Sequence, residues 1–274
     1  MFVDFATTRA TYETFVDESH DFDLTGPESV LRGLTADDLV FDFCAYDVTG
    51  LADGATVSTW AARRGGLTAT ATGTPAYTEP DSTLGVPSVA YAATGERHDA
   101  SAVDWSASQT ATLLSVWYSD ASAANAGIAS LHASLGNVPA AAGGIEHLLG
   151  ASSGYWTPVH RPNGATDFWL ERDTVDDTGA VQVTVSVHDT AAKAAADEIR
   201  GIQNGAEIVG STTGTSGGGA VWQSTLYPVL GARGNVAVEG LNGRLHRFVA
   251  LPRALSADNA TQASDLLTRL AKAV

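Results

Sequence analysis

The chain has 274 residues and a formal net charge of −16, with 31 acidic side chains against 15 basic ones and only Lys193 and Lys272 as lysines. That balance excludes a phosphate-tracking surface, so nucleic acid is not an expected partner, and the charge itself implies solubility and repulsion between copies. A hydrophobic content of 44% supports a packed core in one large β domain or two small ones, and the single Cys44 excludes an internal disulfide framework or a multi-cysteine zinc site.

The first 38 residues stand apart. Asp17, Glu18, Asp21, Asp23, Glu28, Asp37 and Asp38 crowd together there, with Phe2, Phe5, Tyr12, Phe15 and Phe22 among them. Such an arm is too small to build its own core, so its aromatics dock either on a partner or on the chain's own body. The start Met1-Phe2-Val3-Asp4 has no basic region followed by an apolar stretch, and no run of eighteen apolar residues occurs. The expectation is synthesis in the cytoplasm and no membrane insertion.

From residue 39 onward, short β-rich runs alternate with Gly, Pro, Ser and Asp clusters. The expected strands are 39–48, 56–61, 67–71, 88–92, 110–118, 128–133, 155–160, 167–171, 181–188, 198–203, 207–211, 221–227 and 244–250. Thirteen short strands predict an all-β sandwich or barrel. Cys44 falls in an apolar run and is expected in the core. The stretch Val181-Gln182-Val183-Thr184-Val185-Ser186-Val187 alternates with period two, which predicts four buried valines with their polar partners outside. Asn204-Gly205 between two strand runs predicts a type I′ hairpin, because both central positions need positive φ. Residues 140–144 and 211–219 read as irregular. Ser256 is an N-cap for a closing amphipathic helix carrying Ala260, Ala263, Leu266, Leu267 and Leu270 at spacings of three and four.

Three pieces carry a family resemblance. The first is Val40-Phe41-Asp42-Phe43 with Leu51-Ala52-Asp53-Gly54-Ala55-Thr56-Val57-Ser58-Thr59-Trp60, and the second is the Asn204-Gly205 hairpin. The third is Gly243-Arg244-Leu245-His246-Arg247-Phe248-Val249-Ala250 leading to Arg253-Ala254-Leu255-Ser256. Over residues 39–274 the chain resembles the concanavalin A-like lectin/glucanase superfamily, in its laminin G-like and pentraxin-like branch found in bacterial surface and bacteriophage virion proteins. The resemblance implies a two-sheet antiparallel jelly-roll sandwich, here with a distinct N-terminal arm and a short C-terminal helix. It also implies a non-catalytic carbohydrate-binding role on a phage-like particle, as tail fibre, tail tip or head spike. The implied partners are a bacterial surface polysaccharide and, through the arm at 1–38, other virion proteins, in a homo-oligomer.

Glycan sites combine an aromatic platform with planar hydrogen-bonding groups. Trp156, His160, Arg161, Asn163, Asp167 and Trp169 surround a Pro-Asn-Gly turn and are the candidate ligand-binding set. The two tryptophans serve equally well as inter-sheet core. Asp104-Trp105 is a weaker candidate. Glu171-Arg172-Asp173-Thr174-Val175-Asp176 is a near miss to the superfamily's glycosidase signature, so a hydrolase using Glu171 and Asp173 is the alternative; a purely structural decoration protein is another. Gly214-Thr215-Ser216-Gly217-Gly218 matches a nucleophile elbow formally but lacks the strand-then-helix context. No cofactor is expected. Calcium is possible at Asp173, Asp176 and Asp177 or at Asp42, Asp47 and Asp53, although neither group has an EF-hand pattern and solvated turn acids explain both.

Overall fold

A computed structural model describes residues 39–79, 84–92, 95–105, 108–121, 126–133, 143–149, 155–161, 168–172, 177–191, 197–208, 210–214, 222, 225–233 and 240–272. The arm at 1–38 lies outside them. In chain order the strands are β1 Phe41–Cys44, β2 Thr59–Ala61, β3 Thr68–Thr72, β4 Ala76–Thr78, β5 Ser88–Ala92, β6 Arg97–Ala100, β7 Val103–Asp104, β8 Thr110–Ser119 and β9 Gly127–His132. They continue as β10 Gly144–Leu149, β11 Trp156–Arg161, β12 Phe168–Arg172, β13 Val181–Asp189, β14 Ile199–Gln203, β15 Ala206–Glu207, β16 Gly210–Gly214, β17 Thr225–Leu230 and β18 Asn242–Leu251. Helix α1, Ala257–Lys272, follows.

All strand pairs are antiparallel. Sheet I runs β15-β14-β13-β8-β18-β5-β4, with β1 also on β18; sheet II runs β16-β12-β11-β10-β9-β17-β6-β3-β2, with β7 on β17. The two sheets pack as a jelly-roll sandwich. Phe41, Phe43, Leu113, Trp117, Leu245 and Phe248 from sheet I meet Leu131, Ile145, Leu149, Trp156 and Leu230 from sheet II in one buried cluster. Cys44 is buried as expected, and burial pushes its thiol up to about 11.

Three of the four β13 valines are buried as expected and Val181 is half-buried, but the polar partners are not outside. Val183, Val185 and Val187 join Leu114, Val116, Val249 and Leu251 on the outer side of sheet I, under Leu255 and under Ala260, Ala263 and Leu267 of the closing helix. Gln182, Thr184, Ser186 and His188 point the other way and are buried as well, with exposures of 0–4%. Period two tells the two faces apart; it does not tell which one meets the partner sheet when a helix covers the apolar face.

The helix is fixed at its start as its sequence dictates. Ser256 Oγ accepts the backbone N–H of Asn259 at 3.2 Å, and the Leu255 N–H reaches Thr112 Oγ1 at 3.1 Å. The Asn204-Gly205 hairpin has φ of 50° and 85°, as a type I′ turn requires. Its tip docks on the helix: the Gly205 N–H donates to Ser264 Oγ at 2.9 Å, and a Cβ at Gly205 would collide with the Asp265 carboxylate.

Gly205→Ala combines a disfavoured φ with that collision. It should lower stability by about 1 kcal/mol or more, read as a fall in the urea midpoint at unchanged slope; an unchanged midpoint would show that the hairpin tip is not held against the helix.

Candidate functional site

Helix α1 covers the outer face of sheet I and leaves the outer face of sheet II as the helix-free one among the described residues. One register row crosses the middle of that face through Trp169, Val159, Glu146, Ser130, Val229 and Asp99, each opposite the next on adjacent strands. The neighbouring row runs Arg161, Gly144, His132 and Tyr227. Their strand neighbours Ile145, Leu131 and Leu230 belong to the inter-sheet cluster, so pleating directs these rows away from it.

Glu146 is the centre. Its Oε2 accepts from Arg233 Nη2 at 3.0 Å, while its Oε1 faces His132 Nε2 at 3.7 Å and accepts no hydrogen bond among the described residues. The Glu146 side chain is only 2% exposed. Thr157, diagonal to it on β11, also carries a buried hydroxyl with no hydrogen bond among the described residues. A buried acceptor and a buried hydroxyl thus lie within one face, closed off from solvent and without hydrogen bonds among the described residues.

Two glycines make the cluster possible. A Cβ on Gly127 would strike the backbone of Ala232 and Arg233, and one on Gly144 would strike Leu131 and press on the His132 ring. Small residues at both positions let the segment bearing Arg233 and the His132 strand close around Glu146.

The expected ligand-binding residues are placed differently. Trp156 and His160 are fully buried between the sheets and do not meet a ligand arriving from solvent. Trp60, Trp105, Trp117 and Trp222 are core in the same way, which removes Trp105 as a platform. Arg161 and Trp169 are placed by their backbones on the two register rows described above. Asn163 and Asp167 lie outside the described residues. The sequence reading missed Glu146, His132 and Arg233. A signal was present in Gly144-Ile145-Glu146-His147-Leu148-Leu149, a glycine-bounded run of strand length that interrupts apolar residues with a lone carboxylate.

His160 instead ends a hydrogen-bonded chain buried between the sheets. Trp117 Nε1 reaches Thr184 Oγ1 at 3.1 Å, Thr184 Oγ1 meets Ser115 Oγ at 2.7 Å, and Ser115 Oγ meets His147 Nδ1 at 2.8 Å. His147 Nε2 lies 2.6 Å from Ser186 Oγ, Ser186 Oγ 2.8 Å from His188 Nε2, and His188 Nδ1 3.3 Å from His160 Nδ1. Beyond it, Glu198 Oε2 stands 3.5 Å from His160 Nε2. An indole N–H can only donate, so Thr184 Oγ1 accepts at the Trp117 end of the chain.

The proposed calcium groups are occupied otherwise. Asp42 is bound by Arg247 through two donors, Asp47 by Arg63 at 2.9 Å, and Asp53 accepts the Glu79 N–H. Asp177 is buried and accepts the Trp156 N–H at 2.6 Å; Asp173 and Asp176 lie outside the described residues. Among the described residues no group of three or more His, Cys, Asp or Glu side chains is arranged to hold a metal ion, and no helix is long and apolar enough to cross a membrane.

The fold defines a class, a two-sheet antiparallel jelly-roll sandwich. No protein-family model and no curated protein matches the sequence. Among solved structures, domain 4 of an extracellular arabinanase from Geobacillus stearothermophilus, in complex with arabinotriose, is similar at a TM-score of 0.58 and 13% identity, covering 83% of this chain and 98% of that one. The binding domain of botulinum neurotoxin DC, in complex with SialylT, gives 0.56 at 8% identity, covering 85% of this chain and 52% of that one. A sialidase from Trypanosoma rangeli gives 0.52 at 12%, covering 96% of this chain and 39% of that one. At these identities the likeness is one of fold.

Burial holds the buried histidines neutral: His147 and His160 are pushed down to about 3, His98 and His246 to about 4, and His188 well below its usual value with added repulsion from His160 and His147. Below the unfolded value near 6.5 the unfolded chain takes up protons that the folded chain refuses, so stability falls as pH drops from about 6.5 toward 4, by up to about 1.4 kcal/mol per pH unit for each such histidine. Urea midpoints measured across that window should fall steeply; a flat profile would contradict the neutral buried histidines.

Proposed function

We propose that this protein is a non-catalytic carbohydrate-binding domain that recognises a bacterial surface polysaccharide on the outer face of sheet II. The observation that carries the reading is the jelly-roll sandwich itself, whose outer sheet II face is not covered by α1; beneath that face one Glu146 carboxylate oxygen and the Thr157 hydroxyl are buried with no hydrogen-bond partner among the described residues. A sugar presents vicinal hydroxyls that both donate and accept, the chemistry that would meet such groups. Tyr227, half-buried in the adjacent row, is an aromatic side chain on this face among the described residues, and the Trp169 backbone lies in the row of Glu146. The arabinanase domain and the neurotoxin binding domain, both determined with carbohydrate ligands, show that similar sandwiches hold glycans.

Along its own row Glu146 has no carboxylate partner, among the described residues, at the spacing hydrolysis uses. Glycosidases place two carboxylates about 5–9.5 Å apart. Along the row of Glu146 the next described carboxylate is Asp99, three strands away or about 14 Å at ordinary strand spacing, and Arg97 holds it at 2.9 Å. We place the domain on a phage-like particle, attached through the acidic, aromatic-bearing residues 1–38.

Glu146→Gln keeps the shape of the side chain and alters its hydrogen bonding. It should weaken binding to capsular polysaccharide about tenfold, the worth of one buried hydrogen bond, with little change in folding as judged by circular dichroism. Unchanged affinity would move the site off this face. Release of reducing ends from the same polysaccharide, abolished by Glu171→Gln, would replace the binding role with an enzymatic one. Deletion of residues 1–38 should release the domain from particles, and retention would detach the arm from that role.

A further inference from the structure

The two halves of the sandwich interior are closed by different forces. On the side of β1, β5 and β18 the sheets meet through Phe41, Phe43, Trp60, Leu245 and Phe248. On the side of β13 and β14, sheet I turns Gln182, Thr184, Ser186, His188 and Gln203 inward, and sheet II answers with His147 of β10 and His160 of β11. We infer that the strip of His147, Ser186, His188 and His160 is an acid-sensitive latch, whose protonation lets β10 and β11 part from β13 and β14 while the apolar half stays closed. The inference is independent of where, or whether, a sugar binds.

The geometry leaves the strip little tolerance for added protons. His188 Nδ1 and His160 Nδ1 lie 3.3 Å apart, a contact that one proton closes; with both rings charged, two N–H groups face each other there. Ser186 Oγ joins Nε2 of His147 at 2.6 Å to Nε2 of His188 at 2.8 Å, so charging those two rings sets like charges on either side of a single hydroxyl. The buried indole of Trp156 stands edge-on to His147, and that of Trp222 to His160 and His188, in surroundings that screen such charges poorly. Two buried carboxylates belong to this half among the described residues. Glu198 Oε2 stands 3.5 Å from His160 Nε2 and can offset one imidazolium, while Asp177 accepts the Trp156 N–H at 2.6 Å and ties β11 to the turn before β13. Asp189 and Arg200 share strand parity with Val187 and Ile202, so they point to the helix side instead.

Burial keeps the three rings neutral in the closed interface, with His147 and His160 held down to about 3 and His188 well below its usual value. On opening, each returns toward its ordinary value near 6.5 and takes up a proton that the closed form refuses once the pH falls below that value. The opening equilibrium then rises by up to about tenfold per pH unit for every ring that protonates. Three rings act together in this strip, whereas His98 is held by itself between the Tyr91 hydroxyl and the Val57 carbonyl, and His246 by the Pro87 carbonyl.

Amide hydrogen exchange on the full chain, followed from about pH 7 to about pH 5 and corrected for the pH dependence of intrinsic exchange, tests the latch. Protection in β10, β11, β13 and β14 should fall at least about tenfold more than in β3, β5 and β17. His188→Asn, which cannot titrate, should reduce that difference. Equal loss in both groups of strands, or a difference that His188→Asn leaves intact, would overturn the latch; if His188→Asn does not fold, the comparison within the unaltered chain decides alone.

Discussion

Everything in this structure follows from the way sheet I is buried on both faces. The valine stripe of β13, continued by Leu114, Val116, Val249 and Leu251, is covered by α1. That leaves the other face of the same strands, with Gln182, Thr184, Ser186 and His188, to meet sheet II. A dry interface lined by polar groups is unfavourable unless each is hydrogen-bonded. The partners come from Ser115 and Trp117 of β8, His147 of β10 and His160 of β11, so that the pairing of the two sheets is specified by directional bonds as well as by apolar area. Covering sheet I also leaves the outer face of sheet II as the helix-free one among the described residues.

Charges follow the same economy of pairing. Asp42 and Arg247 lie on neighbouring strands with side chains only 2–3% exposed, and Arg247 grips both carboxylate oxygens. A pair of that geometry offsets the cost of its own burial, and losing one member would strand the other. Glu146 and Arg233 differ in one respect: Arg233 satisfies one oxygen of the carboxylate and leaves the second facing His132. The contrast separates a carboxylate that is finished by the fold from one that the fold leaves open.

How much of this was legible depends on what local sequence encodes. The Asn204-Gly205 turn, the Ser256 cap and the long strands β8, β13 and β18 are written in residues a few positions apart and are read correctly. Four strands are not: Ala76–Thr78, Arg97–Ala100, Val103–Asp104 and Gly144–Leu149. They are short or interrupted by charge, and their pairing partners, not their composition, make them strands. The run 207–211 is read as one strand, yet the chain leaves sheet I after Glu207 and enters sheet II at Gly210. The site suffered for the same reason. Tryptophan density drew attention to Trp156, which fills the interior, while Glu146, His132 and Arg233 come from separate segments that only the fold unites.

Strand β18 has a further consequence. It lies between β8 and β5 and also pairs with β1, so the two sides of sheet I meet on residues 242–251, far along the chain from the strands they join. Until that segment emerges from the ribosome, β1, β5 and β8 have unsatisfied edges and no common partner. Pairings of such long sequence separation form slowly, and edges left open in the interval are the ones most apt to pair with another molecule. Synthesis of this domain is thus a period of exposure that ends only when a late strand slides into the middle of the sheet.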